Sequence, residues 1–205
     1  IGISGDELYS NWKKYLKEYY NKQIDGIDDI ENYVILESEG LANINPKWSP
    51  DGTKIAYLSD KDRDRYGKTD LFYYSFEDSS HTKIHPGVKS IPAWISDSLV
   101  VYTRRSKPNK EGSKFYDLYE YDLKEEKEEQ LTFSLRLFSP MYDQINNKIV
   151  AINTYDGTNN LVVGNLDFSE YKTLTDFENG FQIFSITMKD GNYLIDALLN
   201  HERNL

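Results

Sequence analysis

Four acidic residues in the first half of the chain have the spacing of metal ligands: Asp60, Asp62, Asp64 and Asp70. The first three alternate as in a calcium-binding loop, which needs oxygen ligands at every second position. The match fails twice, because Arg65 stands where such a loop requires glycine and Leu71 stands where it requires a bidentate glutamate. Arg63 also offsets part of the negative charge. The sequence therefore favours a solvated loop between two strands over a calcium site.

The residues that hydrolytic catalysis requires are missing or wrongly spaced. A zinc peptidase needs two histidines one helical turn apart and a glutamate as base, but the His201-Glu202 pair is followed by Leu205 where the second histidine would fall. There is no cysteine to act as a nucleophile. The stretch from Gly2 to Asp6 lacks the final glycine of a nucleophile elbow, and we interpret Ser4 as a helix cap. We therefore predict no catalytic, cofactor-binding or metal-binding residue in this chain, and no cofactor.

An amphipathic helix is predicted near the start of the chain. Ser4 and Glu7 have the spacing of a capping box, in which both side chains accept hydrogen bonds from backbone N–H groups of the first turn. Beyond them the apolar residues recur at helical spacing: Leu8, Trp12, Tyr15, Leu16 and Tyr19. The helix should end near Asp25-Gly26.

A short fragment with a proline, an aromatic residue and a turn is repeated along the rest of the chain. Its copies are residues 46–58, 92–102 and 140–152, and a fourth begins around residue 189. Trp48, Trp94 and Tyr142 hold equivalent positions, separated by 46 and then by 48 residues. Such a period is typical of propeller blades.

Each repeat has the pattern of a four-stranded sheet. Runs of β-branched and aromatic residues alternate with Gly, Pro, Asn and Asp, which indicates strands. The last run of each repeat ends in an aliphatic residue and usually a threonine, as in Gln130-Leu131-Thr132 and Thr173-Leu174-Thr175. We predict an all-β fold of antiparallel four-stranded blades in a partial or truncated β-propeller, preceded by one amphipathic α-helix.

The turn of the first repeat reads Ser49-Pro50-Asp51-Gly52, in which proline presets φ and glycine takes the positive φ of a tight turn. Asn, Asp and Ser replace the Asp-Gly pair in the second and third copies, and these residues tolerate the same turns. We expect Trp48, just before this turn, to be buried between neighbouring blades. Trp48→Ala would then cost roughly 3–5 kcal/mol.

These residues resemble the signature of the TolB-like propeller family, a WD-repeat-like group, which is Pro-x-Trp/Phe-Ser-Pro-Asp-Gly followed by an apolar strand. The resemblance covers about residues 33–197 and implies a binding or gating surface without naming a ligand. Residues 2–8 with 12–16 also resemble the last helix of the gluzincin-type peptidase domain that precedes such propellers in some bacterial proteins. Together these resemblances imply the tail of an upstream domain at residues 1–27. Propeller blades follow at 33–205, as three near-complete repeats and the start of a fourth.

Composition limits the classes of partner. The net charge is −10 and the isoelectric point about 4.8, whereas a nucleic-acid surface needs clustered Lys and Arg. We therefore expect no nucleic-acid partner. The basic residues between 104 and 110 are interpreted as a solvated loop, and the acidic residues 125–129 as a polar hairpin tip. No apolar stretch has the length of a membrane span.

Two functions fit these observations. The first is a non-catalytic propeller that binds a protein or peptide partner as part of a longer bacterial protein, where some of the 17 tyrosines could stack on the ligand. The alternative is a substrate-gating or regulatory propeller of a peptidase whose catalytic domain lies outside this chain. The family resemblance favours an extracytoplasmic location. Residues 33–36 look like the last strand of a further blade, and open sheet edges would allow self-association.

Overall fold

The computed structural model describes residues 2–25, 27, 33–64, 67–178, 180–199 and 202–204. The chain divides into two compact units, residues 1–38 and residues 39–205. The first unit contains a helix, α1 (Gly5–Ile24), and the described part of the second contains strands arranged in four sheets. The sequence-based boundaries at residues 1–27 and 33–205 stay a prediction.

Helix α1 begins as the sequence predicts. Ser4 is its N-cap, and the Ser4 hydroxyl accepts a hydrogen bond from the Glu7 backbone N–H at 3.2 Å. Asp6 and Glu7 lie in the first turn and Lys22 in the last, which suits the helix macrodipole. The helix ends at Ile24, close to the expected end, and Gly26 lies outside the described residues. In the described part of the chain, no helix combines the length and the apolar character needed to span a membrane.

The strands pair antiparallel in chain order within each sheet. Sheet 1 consists of β1 (Asn43–Trp48), β2 (Lys54–Ser59), β3 (Asp70–Ser75) and β4 (Ser80–His85). Sheet 2 consists of β5 (Ala93–Trp94), β6 (Leu99–Arg105), β7 (Tyr116–Asp122) and β8 (Lys127–Gln130). Sheet 3 consists of β9 (Leu137–Asp143), β10 (Lys148–Asn153), β11 (Asn160–Gly164) and β12 (Tyr171–Thr173). Sheet 4, in the described residues, consists of β13 (Gln182–Lys189), β14 (Asn192–Leu199) and β15 (Glu202–Asn204). The prediction of four-stranded antiparallel blades after one helix is confirmed.

The repeat seen in the sequence is a repeat in strand register. Trp48 pairs with Ile55, and at the same place in sheet 2 Trp94 pairs with Val100. In sheet 3 the register is again the same, with Tyr142 opposite Ile149. The three aromatic residues therefore lie at or next to the end of the first strand of their sheets, in equivalent positions.

The turn after β1 has the predicted geometry. Gly52 adopts a φ of +72°, and its N–H donates to the Ser49 carbonyl at 3.0 Å. The Asp51 carboxylate accepts from the Ser49 hydroxyl at 2.6 Å and from the Thr53 N–H at 3.0 Å. These hydrogen bonds lower the pKa of Asp51 to about 2. In sheet 3 the positive φ is taken by Asn147, at +53°, which is a residue type that tolerates this conformation.

Apolar side chains join each sheet to the next through alternate residues of the second strand. In β6, Val100 and Tyr102 pack on sheet 1 in one core cluster, while Val101 packs on sheet 3 in another. In β10, Ile149 faces sheet 2 and Ile152 faces sheet 4. Because successive side chains of a strand point to opposite faces, a strand buried on both sides reads as the continuous apolar run seen in the sequence.

A buried polar clamp fixes the connection from one sheet to the next. In sheet 2 the fully buried Asp117 accepts from the Thr132 hydroxyl at 3.1 Å and from the N–H groups of Ser134 and Leu135 at 2.9 Å each. The Thr132 hydroxyl in turn accepts from the Leu118 N–H at 2.8 Å. This arrangement explains why a threonine ends the fourth run of the repeat.

Sheet 3 has the same clamp with an asparagine. Asn160 accepts from the Thr175 hydroxyl at 2.9 Å and from the Phe177 N–H at 2.7 Å, and the Thr175 hydroxyl accepts from the Leu161 N–H at 2.9 Å. In sheet 1, where His85 stands in place of threonine, Asp70 accepts from the Gly87 N–H at 3.0 Å. The acidic or amide residue at the start of the third strand is thus a repeated structural element.

A partly buried ion pair joins β6 to β8 of sheet 2, across β7. Arg104 binds Glu128 through two hydrogen bonds, of 2.9 Å from Nε and 2.5 Å from Nη2, and its guanidinium lies 3.7 Å from the centre of the Tyr119 ring. The hydroxyl of the buried Tyr102 also donates to Glu128. His85 of sheet 1 has its Nε2 atom 3.8 Å from the same carboxylate.

The structure corrects three interpretations made from the sequence, which concern residues 125–129, 104–110 and 33–36. The acidic stretch is not only a hairpin tip, because Glu128 lies in β8 and pairs with Arg104. The basic stretch is not wholly a loop either, since Arg104 belongs to β6. Residues 33–36 form no strand, and Tyr33 and Val34 are exposed. High β-propensity does not make a strand where no neighbouring strand provides hydrogen bonds.

Replacing Asp117 tests the clamp. Asp117→Ala should lower the free energy of unfolding by about 3 kcal/mol, because it leaves the buried Thr132 hydroxyl and two partly buried backbone N–H groups without their acceptor. Denaturant unfolding followed by tryptophan fluorescence would measure this loss. Asp167→Ala is the matched control, since the exposed Asp167 accepts from Ser169 within a turn, and it should cost less than about 1 kcal/mol. Equal losses in the two variants would contradict the role assigned to Asp117.

The ion pair at Glu128 should make stability depend on pH in the acid range. Burial of the carboxyl opposes ionisation, but the hydrogen bonds from Arg104 and Tyr102 outweigh it and lower the pKa of Glu128 below its ordinary value of 4.5. A lowered pKa contributes stability that is complete above the ordinary value and is lost as the pH falls through the lowered one. Glu128→Gln should therefore flatten the fall in unfolding free energy on acidification.

Unfolding melts at several pH values from neutrality downward would measure this slope. Glu129→Gln is the control, because Glu129 pairs with Lys127 at 3.6 Å in solvent, where such pairs contribute little. It should keep the slope of the unmodified chain. An unchanged slope in Glu128→Gln would show that the ion pair does not couple folding to protonation.

Candidate binding cleft along the inner strands

The first strands of the four sheets, β1, β5, β9 and β13, lie next to each other along the chain order, and we call them the inner strands. β1 contacts β5, β5 contacts β9 and β9 contacts β13. Since each of these strands is the edge of its own sheet, the four edges face a common centre. A cleft of about 500 Å³ opens between them. Its lining contains three prolines, both methionines of the chain and three aromatic residues: Pro50, Pro92, Pro140, Met141, Met188, Trp48, Trp94 and Tyr142.

The inner strands are bent and partly closed to further pairing. The register of β1 shifts between Ile44 and Lys47, and β9 and β13 carry shifts at corresponding places. In β1 and β9 the shift contains a residue with positive φ just before a proline, at Asn45 and Ser139. Bulges and prolines on an edge strand remove the regular row of donors that another strand would pair with. The cleft is therefore suited to side-chain recognition rather than strand addition.

Trp94 is a structural side chain at the base of the cleft. Only 7% of it is exposed, and its indole Nε1 donates to the Lys47 carbonyl at 2.9 Å. A second hydrogen bond joins sheets 1 and 2, from the Asp51 N–H to the Asp97 carboxylate at 2.8 Å. These contacts fix sheet 2 against sheet 1 on the side of the turns.

Trp48 behaves differently from its repeat equivalent. It is 60% exposed and stacks on Phe76, with ring centres 5.3 Å apart and an angle of 10° between the planes. The expectation that Trp48 is buried between blades is therefore wrong. Trp94 is buried because it packs against the preceding sheet, whereas no sheet precedes β1 in the described residues.

The far side of the cleft is held by a tyrosine–carboxylate bond between sheets 3 and 4. The Tyr193 hydroxyl donates to Asp143 at 2.5 Å, and the fully buried Asp143 also accepts from the N–H groups of Ile145 and Asn146 at 3.1 Å each. Burial and the hydrogen bond to Asp143 raise the pKa of Tyr193 to about 12. Tyr193 therefore stays a hydrogen-bond donor throughout the physiological pH range.

Two of the four acidic residues with calcium-loop spacing, Asp60 and Asp70, are buried and bind donors of the protein itself. Asp60 accepts from the N–H groups of Leu41 and Ala42 at 2.8 and 2.9 Å, and Asp70 binds Arg63 as well as the clamp N–H. The expectation of a solvated loop is wrong for these two carboxylates, which are buried. Within the described residues, no group of three or more His, Cys, Asp or Glu side chains is arranged to hold a metal ion. Arg65 and His201 lie outside the described residues.

Sequence reasoning identified part of this cleft. Trp48, Trp94 and Tyr142 were recognised as equivalent, and so were the prolines before them. It missed Met188, which lines the cleft, and Phe76, which stacks on Trp48. One feature of the sequence accompanies the register shifts: a proline stands two residues before each of the three aromatic residues. This pattern does not distinguish a bulge from a regular edge strand.

Replacing Trp94 and Trp48 by alanine should change the free energy of unfolding by very different amounts. Trp94→Ala should lower the free energy of unfolding by about 3–5 kcal/mol, because it empties a buried site and removes the bond to Lys47. Trp48→Ala should cost less than about 1 kcal/mol, since most of its surface is already in solvent. Chemical denaturation of both variants would measure the difference. A larger loss for Trp48→Ala than for Trp94→Ala would contradict the assigned burial.

Comparisons with known proteins identify the fold. No protein-family model matches the chain, and no curated protein matches it. Among solved structures it is similar to a putative TolB from Agrobacterium tumefaciens, with a TM-score of 0.62 and 16% identity over 78% of this chain and 57% of that one. TolB from Acinetobacter baumannii gives a TM-score of 0.53 and 16% identity, over 76% of this chain and 40% of the other.

A third similar structure is the β-propeller domain of the Trilobed protease from Pyrococcus furiosus. Its TM-score is 0.57 at 19% identity, and the match covers 78% of this chain and 51% of that chain. The chain thus spans about half the length of the structures that it resembles. At these identities the likeness concerns the fold alone. The chain has a TolB-like β-propeller fold, built in the described residues from four successive antiparallel sheets.

Proposed function

We propose that this chain is a non-catalytic propeller module of a longer bacterial protein and that its inner-strand cleft binds a peptide segment of a protein partner. The observation that carries this proposal is the exposure of Trp48 at the edge of a cleft that also holds both methionines. An exposed tryptophan is costly to leave in water and is enriched where proteins bind each other. Methionine side chains adapt their shape to different partners.

The charge of the cleft favours an apolar or neutral peptide segment. Its charged lining residues are one lysine, Lys47, and one aspartate, Asp97. The Asp97 carboxylate already accepts from the Asp51 N–H. A cleft with so little net charge has no means of neutralising a phosphate backbone, which agrees with the expectation that nucleic acid is not the partner.

The frame around the cleft is fixed before binding. The Trp94–Lys47 bond and the Asp51–Asp97 bond hold sheets 1 and 2 together, and Tyr193–Asp143 holds sheets 3 and 4. A preformed site loses less conformational entropy on association than a mobile one. The volume of about 500 Å³ lies within the range of ligand pockets and accommodates a few side chains of an extended segment.

Selection from a random peptide library tests this function and does not require the partner to be identified. Peptides displayed on phage would be selected on the immobilised chain, and the enriched sequences would then be titrated by fluorescence anisotropy. We expect enrichment of peptides with apolar or aromatic side chains. Their affinity should fall at least about tenfold in Trp48→Ala, because stacking on an exposed aromatic ring is lost.

The matched control is Phe133→Ala. Phe133 is an aromatic residue of comparable exposure that lies in the connection between β8 and β9 and does not line the cleft. It should leave peptide affinity unchanged. Failure to enrich any sequence, or an equal loss of affinity in the two variants, would reject the inner-strand cleft as the binding site.

A second candidate is a gating or regulatory propeller of a peptidase. It is supported by the structural likeness to the propeller domain of the Trilobed protease and by the resemblance of the first helix to the end of a gluzincin-type domain. The reading frame upstream of residue 1 tests it directly. A His-Glu-x-x-His helix there would support this candidate, and its absence would remove the zinc-peptidase form.

A further inference from the structure

A second cleft has a volume of about 560 Å³. It is formed by the connection between β4 and β5, the connection between β6 and β7, and the start of β9. Three basic residues line it, Lys89, Lys114 and Arg136, and its lining contains no acidic residue. We call it the cationic cleft. In a chain with a net charge of −10, such a concentration of positive charge is unusual.

The three basic side chains are not neutralised by carboxylates of the protein. Within the described part of the chain, none of them forms an ion pair. Arg136 is nevertheless held in place, because Nη1 donates to the Tyr155 carbonyl at 2.8 Å and the guanidinium lies 4.6 Å from the centre of the Phe115 ring. Positive groups gathered in a concave site with low-dielectric walls attract an anion.

Two hydroxyl groups in the wall of the cleft lack a partner. The Thr103 side chain is almost fully buried, at 1% exposure, and its oxygen forms no hydrogen bond with any described residue. The buried Ser90 oxygen is in the same condition. An unsatisfied buried hydroxyl destabilises a fold by about 1–3 kcal/mol, and such groups require an explanation. Both oxygens are covered by neighbouring atoms, and a ligand oxygen that accepts from them once those atoms move aside would provide one.

The remaining walls are aromatic. Phe115, Tyr116 and Phe138 line the cleft beside the basic residues. Small-molecule sites combine mostly apolar walls with a few placed polar groups, and the volume of this cleft falls within their usual range. Inorganic phosphate would satisfy the charge but leave the aromatic walls unfilled.

We infer that the cationic cleft binds an organic anion in which a carboxylate is joined to an apolar group, with Lys89, Lys114 and Arg136 around the carboxylate and the aromatic residues around the apolar group. A free small acid and the C-terminal end of a peptide both carry this chemistry. The site shares Ser139 with the lining of the inner-strand cleft, but the inference does not rest on the function proposed for that cleft.

Paired ligands that differ only in charge test the inference. N-acetylphenylalanine and N-acetylleucine would each be compared with the corresponding amide by calorimetry and by ligand-detected NMR, with inorganic phosphate as a third probe. Both acids should bind at least about tenfold more tightly than their amides, which corresponds to about 1.4 kcal/mol. Binding of the acids should weaken as salt is added. A tripeptide with a free C-terminal phenylalanine, compared with a free aryl acid, distinguishes the two sources.

Substitutions locate the binding to this cleft. Lys89→Gln and Lys114→Gln change exposed side chains and should each weaken acid binding several-fold without altering stability. Thr103→Val should weaken binding while leaving the unfolding free energy unchanged or raised, because it removes a hydroxyl that has no partner in the fold. A hydroxyl with a merely structural role would show the opposite pattern.

Lys124→Gln is the matched control, since Lys124 is an exposed lysine of the β7–β8 turn and does not line the cleft. It should bind the acids as the unmodified chain does. Equal binding of acids and amides, stronger binding of phosphate than of either acid, no detectable binding of either acid, or full affinity in both lysine variants would each overturn the inference. None of these outcomes bears on peptide binding at Trp48.

Discussion

The fold depends on a buried polar clamp that fixes how each sheet passes to the next. A short acceptor side chain at the start of the third strand, Asp117 or Asn160, accepts from a threonine hydroxyl and from backbone N–H groups beyond the fourth strand. Without it, partly buried backbone N–H groups of the connecting segment would have no acceptor. Because the following inner strand continues directly from this segment, the clamp also sets the positions of β5, β9 and β13. The two clefts are therefore built on the same repeated interaction.

The features that local chemistry dictates were readable from the sequence. The capping of α1 at Ser4 and the turn at Gly52 follow from single residues. The period between Trp48 and Trp94 predicted equivalent sheets, and the register confirms it. In each case a few neighbouring residues determine the outcome, so that a pattern in the sequence is sufficient.

The features that depend on distant neighbours were not readable. Trp48 matches Trp94 in type and position, but its exposure depends on whether another sheet packs against it. The sequence around Glu128 predicts a solvated acidic hairpin tip, because the partner of Glu128 is Arg104, which lies 24 residues earlier in the chain. Asp117 carried no signal of its own, since an aspartate near a strand start is as common in turns as in clamps. The sequence does not predict the cationic cleft, because Lys89, Lys114 and Arg136 lie in three different connections between strands and are far apart in the chain.

The alternation of side chains in β6 has a consequence for how the molecule comes apart. Val100 and Val101 are adjacent in the chain yet stabilise different boundaries, one with sheet 1 and the other with sheet 3. The folding free energy of such a row of sheets is approximately the sum of one contribution from each sheet and one from each boundary between neighbouring sheets. Loss of one boundary therefore leaves the next intact, and opening can spread along the array one unit at a time. The slowest amide hydrogen exchange then belongs to β6 and β10, which take part in two boundaries each.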